Sequence, residues 1–116
     1  MIGYVTLGTN DLEKACAFYD ALLAEVGGTR MMQEGNFVAW SSPGDAGGAF
    51  SITTPYDGNE ATVGNGVMAA IAAESTDQVD AVYAKAIALG GTDEGAPGPR
   101  GRAFTRVTFA ISMATN

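Results

Sequence analysis

Histidine is absent from this chain of 116 residues, and with it the one side chain whose ordinary pKa lies near neutrality. Acid–base catalysis by imidazole is excluded, as is every metal site built on two histidines. Cysteine is nearly absent. Cys16 cannot close an internal disulfide, and its place in a helical pattern reads as a small core residue rather than a nucleophile. Basic residues are few: six Lys and Arg stand against thirteen Asp and Glu, a formal charge of −7. Such a field repels phosphate backbones and anionic lipid surfaces, so neither a nucleic-acid nor a membrane partner is expected. No apolar run approaches the roughly 20 residues that span a bilayer, and "MIGYVTLG" lacks the basic region, apolar core and cleavage site of an export signal. A cytoplasmic location is the expectation. What is present, 47% hydrophobic and 16% charged residues, is the balance of one globular domain able to bury a core.

The N-terminal "IGYVTLG" alternates and is rich in β-branched and aromatic residues, which predicts a strand. Asn10 is placed to cap a helix, with Glu13 at capping-box spacing. Leu12, Ala15, Tyr19, Leu22 and Val26 recur at helical intervals, and Gly27-Gly28 supplies the stop. The pattern returns about 64 residues later: Val67 to Ala73 reads as a short buried strand, Ser75 and Gln78 repeat the capping spacing, Val79, Val82, Tyr83 and Ala86 form an apolar stripe, and Gly90-Gly91 closes it. Between the copies, "TRMMQ", "NFVAWSS" and "GAFSITTP" are strand-like, so the first half reads β-α-β-β-β. The polar "YDGNEATVGNG" reads as the connection between halves at about 1–56 and 66–116. Gly64-Asn65-Gly66 and the run from Gly95 to Gly101 have neither a P-loop lysine nor dinucleotide-fold spacing, and read as turns. Arg30, Arg100, Arg102 and Arg106 read as scattered solvated charge.

Two such units in tandem, with "YVTLGTNDLEKACAFY" opening the first, "TPYDG" ending it and "ALGG" closing the second helix, resemble the vicinal oxygen chelate superfamily, also called the glyoxalase/bleomycin resistance/dioxygenase superfamily. The resemblance implies an α+β fold in which two βαβββ units form a concave mixed-sheet cup, often within a homodimer, that holds a small-molecule ligand. In that family the metal ligands are usually a histidine on the first strand of each unit and a carboxylate on a later strand of each. Tyr4 and Met68 stand at the two histidine positions, and "FVAWSS" and "FSITTP" carry no Asp or Glu. A phenol must lose its proton to ligate, and a thioether prefers soft metals. The expectation is therefore a cup with no metal and no cofactor, lined by Tyr4, Thr6, Phe37, Trp40, Phe50, Ser51 and Met68. Aromatics on strands are also ordinary core residues, which leaves a packing role open for each. Three functions are compatible: metal-free small-molecule binding of the bleomycin-resistance kind, a lactoylglutathione-lyase-like or dioxygenase-like enzyme with ligands other than histidine, and an inactive self-associating domain.

The tail departs from the resemblance. Family members typically finish with a Tyr-x-x-Tyr-Phe-Arg-Asp-Pro-Asp-Gly-Asn-Lys pattern and a last strand, where this chain reads "AFTRVTFAISMATN". One permitted set of codons for Phe104 onward, read from the last base of the Phe104 codon, gives Tyr-Ala-Gly-Tyr-Phe-Arg-Asp-Leu-Asp-Gly-Asn-Lys. A one-base slip near Phe104 accounts for both readings. "FTRVTFAIS" still alternates and can serve as the penultimate strand, while the last strand is expected to be missing. An open sheet edge results, and pairing with a second copy is the expected remedy.

Overall fold

The computed structural model describes residues 1–43, 48–99 and 107–112. The chain is α+β. Strand β1 (Tyr4–Gly8) leads into helix α1 (Leu12–Ala24), followed by β2 (Thr29–Glu34), β3 (Phe37–Ser41) and β4 (Ala49–Thr53). These four strands form one mixed sheet in the order β1-β4-β3-β2, with β1 parallel to β4 and the other pairs antiparallel. The first half is thus the β-α-β-β-β unit its pattern predicts. The second half contributes α2 (Thr76–Ala88), β5 (Thr92–Pro99) and β6 (Val107–Ser112), the last two pairing antiparallel as a separate two-stranded sheet.

Both helices end alike. The Gly28 N–H donates to Leu23 O at 2.8 Å and the Gly27 N–H to Ala24 O at 3.1 Å, while Gly27 adopts φ +79°. Gly91 and Gly90 repeat this with Ala86 O and Ile87 O, Gly90 having φ +98°. A residue with φ in this region is cheap only as glycine, so each Gly-Gly pair caps the carbonyls its helix leaves open. The starts differ from expectation at one point. Asp11, not Asn10, caps α1, accepting from the Lys14 N–H at 3.1 Å. Asn10 instead grips the connection between halves: its Oδ1 accepts from the Ala61 N–H at 2.6 Å, and its Nδ2 donates to Ala61 O at 3.2 Å. A side-chain amide has both a donor and an acceptor and can mimic a strand partner, a task a carboxylate cannot complete. Ser75 does cap α2, accepting from the Gln78 N–H at 3.1 Å.

The core lies between α1 and one face of the four-stranded sheet. Ala15, Cys16 and Leu23 of the helix pack on Val38, Trp40 and Ile52, with Leu12, Tyr19, Val26 and Phe50 at the margin. Phe18 and Leu22 meet Val82 and Ala86 of α2, joining the halves through their helices. Burial pushes the Cys16 thiol pKa up, as suits a packing residue.

Two expectations fail in the second half. Residues 67–73 form no strand, and Val67, Met68 and Ile71 are exposed. The first unit supplies the physical reason: β1 is held in its sheet by the parallel ladder to β4. Among the described residues the second half has no counterpart of β4, so the segment lacks a neighbour to complete its backbone hydrogen bonds. The turn expected from Gly95 onward is likewise absent as far as Pro99, since β5 runs through it with register shifts at Asp93/Gly95 and Gly95/Gly98. A strand paired on one side only can carry proline where its missing N–H would have faced outward. Phe104, the point of the inferred slip, lies outside the described residues.

Candidate ligand-binding face of the first sheet

Alternation along the strands divides the expected cup residues between two faces. Tyr4 and Thr6 of β1, Ser51 of β4 and Phe37 of β3 share the face turned away from α1, together with Ala39 and Thr53, as the register Thr6↔Ser51, Ala39↔Ser51 and Phe37↔Thr53 requires. Trp40 and Phe50 face the helix. Trp40 is 2% exposed within the core and Phe50 packs beside it, their ring centroids 6.3 Å apart. Neither lines this face. Met68 is 83% exposed in the segment that forms no strand, and no ring contact or hydrogen bond joins it to the other six.

The face is curled. Tyr4 and Phe37 lie on strands separated by β4, and in register Phe37 is level with Gly8, four residues along β1 from Tyr4. At about 3.3 Å per residue that is roughly 13 Å along the strand. Their rings nevertheless meet edge to face with centroids 5.8 Å apart, which requires the sheet to bend towards them. Ser51 and Ala39, small residues between the two rings in register, are 0% and 3% exposed. The hydroxyl of Ser51 donates to Val5 O at 2.8 Å and meets Thr6 Oγ1 at 2.7 Å. At the Thr53 end the face opens into a depression of about 380 Å³ lined by Asn36, Thr53, Thr54, Pro55 and Tyr56.

On the helix side the one polar atom of the buried Trp40 ring reaches a carboxylate at the surface. The Asp20 carboxylate accepts from Trp40 Nε1 at 2.8 Å and from Arg30 Nε and Nη2 at 2.8 and 2.7 Å. Arg30 also lies over the Trp40 ring, 5.9 Å from its centroid. Arg30 is thus an exposed charge, as its sequence context suggests, and it is also ion-paired. The side chains of Arg100, Arg102 and Arg106 lie outside the described residues.

The metal site that the fold family implies does not fit this donor set. Tyr4 and Thr6 stand on β1 where an imidazole would be needed, the chain has no histidine, and the facing positions of β3 and β4 hold Phe37, Ala39, Ser51 and Thr53. Among the described residues no three His, Cys, Asp or Glu side chains come together. Neutral hydroxyls and apolar groups are poor ligands for a zinc-like cation, which draws on thiolate, imidazole or carboxylate donors to offset its lost hydration.

Sequence parity could have separated these residues. Positions 37 and 40 differ by an odd number, as do 50 and 51, so neither pair can share a face of a regular strand. The same count would have found Ala39.

Known proteins similar to this chain point to one family. The sequence profile of the Glyoxalase/Bleomycin resistance protein/Dioxygenase superfamily matches residues 1–110. A crystal structure of a glyoxalase/bleomycin resistance protein from Albidiferax ferrireducens superposes with a TM-score of 0.75 at 43% identity, covering 84% of this chain and 80% of that one. A hypothetical protein from S. aureus gives a TM-score of 0.64 at 20% identity, covering 86% and 77%. A glyoxalase-related enzyme from Fulvimarina pelagi gives 0.62 at 18% identity, covering 86% and 72%. At these lower identities the likeness is one of fold. No protein of curated function matches the chain. The chain belongs to the Glyoxalase/Bleomycin resistance protein/Dioxygenase superfamily.

Proposed function

We propose that this protein binds a small organic molecule on the curled face of its first sheet, without a metal ion. The observation that carries the reading is the composition of that face. Two aromatic rings from distant register positions converge over small residues, and a pair of hydroxyls is the polar group between them. Ligand sites are typically apolar concavities with a few placed polar groups, and this face has that make-up. Family membership alone does not assign the role, because one scaffold hosts many chemistries. A thermal-shift screen with divalent metals and with small aromatic or glutathione-like compounds tests the reading, since a ligand of the folded state raises Tm. Stabilisation by an organic compound in protein that contains no metal supports it. One tightly held metal per chain with turnover would instead make the protein an enzyme of the lactoylglutathione-lyase or dioxygenase kind.

The working form in this reading is a cytoplasmic homodimer. Among the described residues strand β1 is an edge, paired only with β4, and Val67, Met68 and Ile71 expose apolar surface on a segment without a ladder partner. These features also favour the reading of the protein as a self-associating domain, with which ligand binding is compatible.

A further inference from the structure

The proton order on the curled face specifies which ligands it can hold, granted the reading of that face as a ligand site. The Ser51 hydroxyl has one proton. Its 2.8 Å contact with the Val5 carbonyl, which has none, places the proton there. The 2.7 Å contact between Ser51 Oγ and Thr6 Oγ1 must then use the proton of Thr6. Ser51 is fully buried, so water cannot offer it another partner. The chain Thr6 to Ser51 to Val5 therefore runs one way, and each hydroxyl fixes the orientation of the other. Thr6 is exposed, and all that its oxygen has left to offer is lone pairs.

We infer that the face selects neutral ligands that carry an O–H or N–H donor on a flat apolar body, and disfavours carboxylates. A donor placed at Thr6 Oγ1 finds an acceptor whose own proton is already committed. A carboxylate placed there meets oxygen lone pairs with its own. Among the described residues nothing on this face offsets that repulsion: Arg30 is turned to the helix side and held by Asp20, and Lys14 and Lys85 belong to the helices. The net charge of −7 acts in the same direction. Tyr4 and Phe37 supply the flat apolar surface, and the Tyr4 hydroxyl, able both to donate and to accept, sets no preference of its own.

The test uses the full chain with phenol, anisole and benzoate as probes, titrated while the ring resonances of Tyr4 and Phe37 are followed by NMR. In the unaltered protein phenol binds more tightly than benzoate, and the ratio of the anisole Kd to the phenol Kd is about 3- to 10-fold higher than in Thr6→Val, the span of one net hydrogen bond. Valine suits a strand and leaves the Ser51 donation to Val5 intact, and Thr6→Ser, which keeps a hydroxyl, retains the preference. Equal anisole-to-phenol ratios in the unaltered protein and Thr6→Val, or benzoate binding as tightly as phenol, would overturn this inference and leave the curled face as a ligand site. Ring resonances that move with none of the three probes would overturn both.

Discussion

The indole N–H of Trp40 donates to Asp20 Oδ1 at 2.8 Å, and the same carboxylate takes two hydrogen bonds from the Arg30 guanidinium. A residue near the middle of α1 is thereby tied to β3 and β2 at once. The tryptophan ring is buried in the core, so its one polar atom needs a partner that reaches it there. Asp20→Ala removes that partner and is expected to cost about 1–3 kcal/mol, the price of an orphaned buried donor. Asp20→Asn keeps an oxygen for the indole and should cost less. Urea unfolding of the three proteins measures both, and an alanine variant as stable as the parent would refute the assignment.

The same carboxylate makes stability depend on acid. Its hydrogen bonds with Arg30, first among several causes, hold the Asp20 pKa below the ordinary carboxylate range. A group whose pKa is lowered by folding contributes stability that is complete above its unfolded pKa, about 4, and that is lost as pH falls through the folded value. The parent should therefore lose urea resistance below about pH 4 more steeply than Asp20→Asn, which has no proton to take up there. Because Asp20 is partly exposed, solvent screens the pair and the difference is modest. Parallel profiles for the two proteins would show that the ion pair adds nothing.

Why these ties escape a reading of the sequence, while the first unit does not, is a matter of range. The β-α-β-β-β order follows from local alternation, helical spacing and the Gly-Gly stops, all of which act within a few residues. Asp20 and Arg30 are brought together only when α1 lies on the sheet. Asn10 and Asp11 are both good caps in isolation, and what assigns the cap to Asp11 is Ala61, some fifty residues away, claiming Asn10. Residues 67–73 have every local mark of a strand, and a strand also needs a neighbour. Tyr4, Thr6, Phe37 and Ser51 share one face in the register, whereas Trp40 and Phe50, which hydrophobicity alone groups with them, are assigned by the two-residue period to the helix side.

Asn10 offers a separate test. Its two hydrogen bonds to Ala61 hold the connection between halves against the start of α1, and Gly8 leaves the room for it: a Cβ built there would lie 3.2 Å from the Ala61 Cβ. Asn10→Ala should destabilise the fold by about 1–3 kcal/mol and speed hydrogen exchange of the Ala61 amide. Asn10→Asp keeps the acceptor and loses the donor, so it should slow that amide again and recover part of the stability. Unchanged Ala61 exchange in the alanine variant would count against the clasp.

Restoring the two imidazoles of the family pattern should not restore a metal site. Tyr4→His places one on β1, but Met68→His places the other on an exposed segment that forms no strand, and no carboxylate faces either from β3 or β4. A tetrahedral zinc site needs three or four ligands held in fixed geometry. The double variant should retain no zinc after gel filtration, as elemental analysis would show. Stoichiometric zinc would reveal oxygen ligands on this face that its hydroxyls do not supply.

The segment that carries Met68 bears on assembly. Among the described residues Val67, Met68 and Ile71 expose apolar side chains on backbone with no ladder, and β1 presents an unpaired edge on which Val5 and Tyr4 are also exposed. A second copy that covers these surfaces would satisfy both the backbone and the side chains, and that is the dimer expected of the protein. Met68→Lys with Ile71→Lys places two charges where the partner would press, and a desolvated unpaired charge is costly enough to prevent association. Neither residue belongs to the core formed by α1 and the sheet, so the fold itself should survive. Sedimentation equilibrium should find the parent dimeric and the double variant monomeric, with the same far-ultraviolet circular dichroism. A parent that stays monomeric across the accessible concentration range would mean that the chain covers this surface itself.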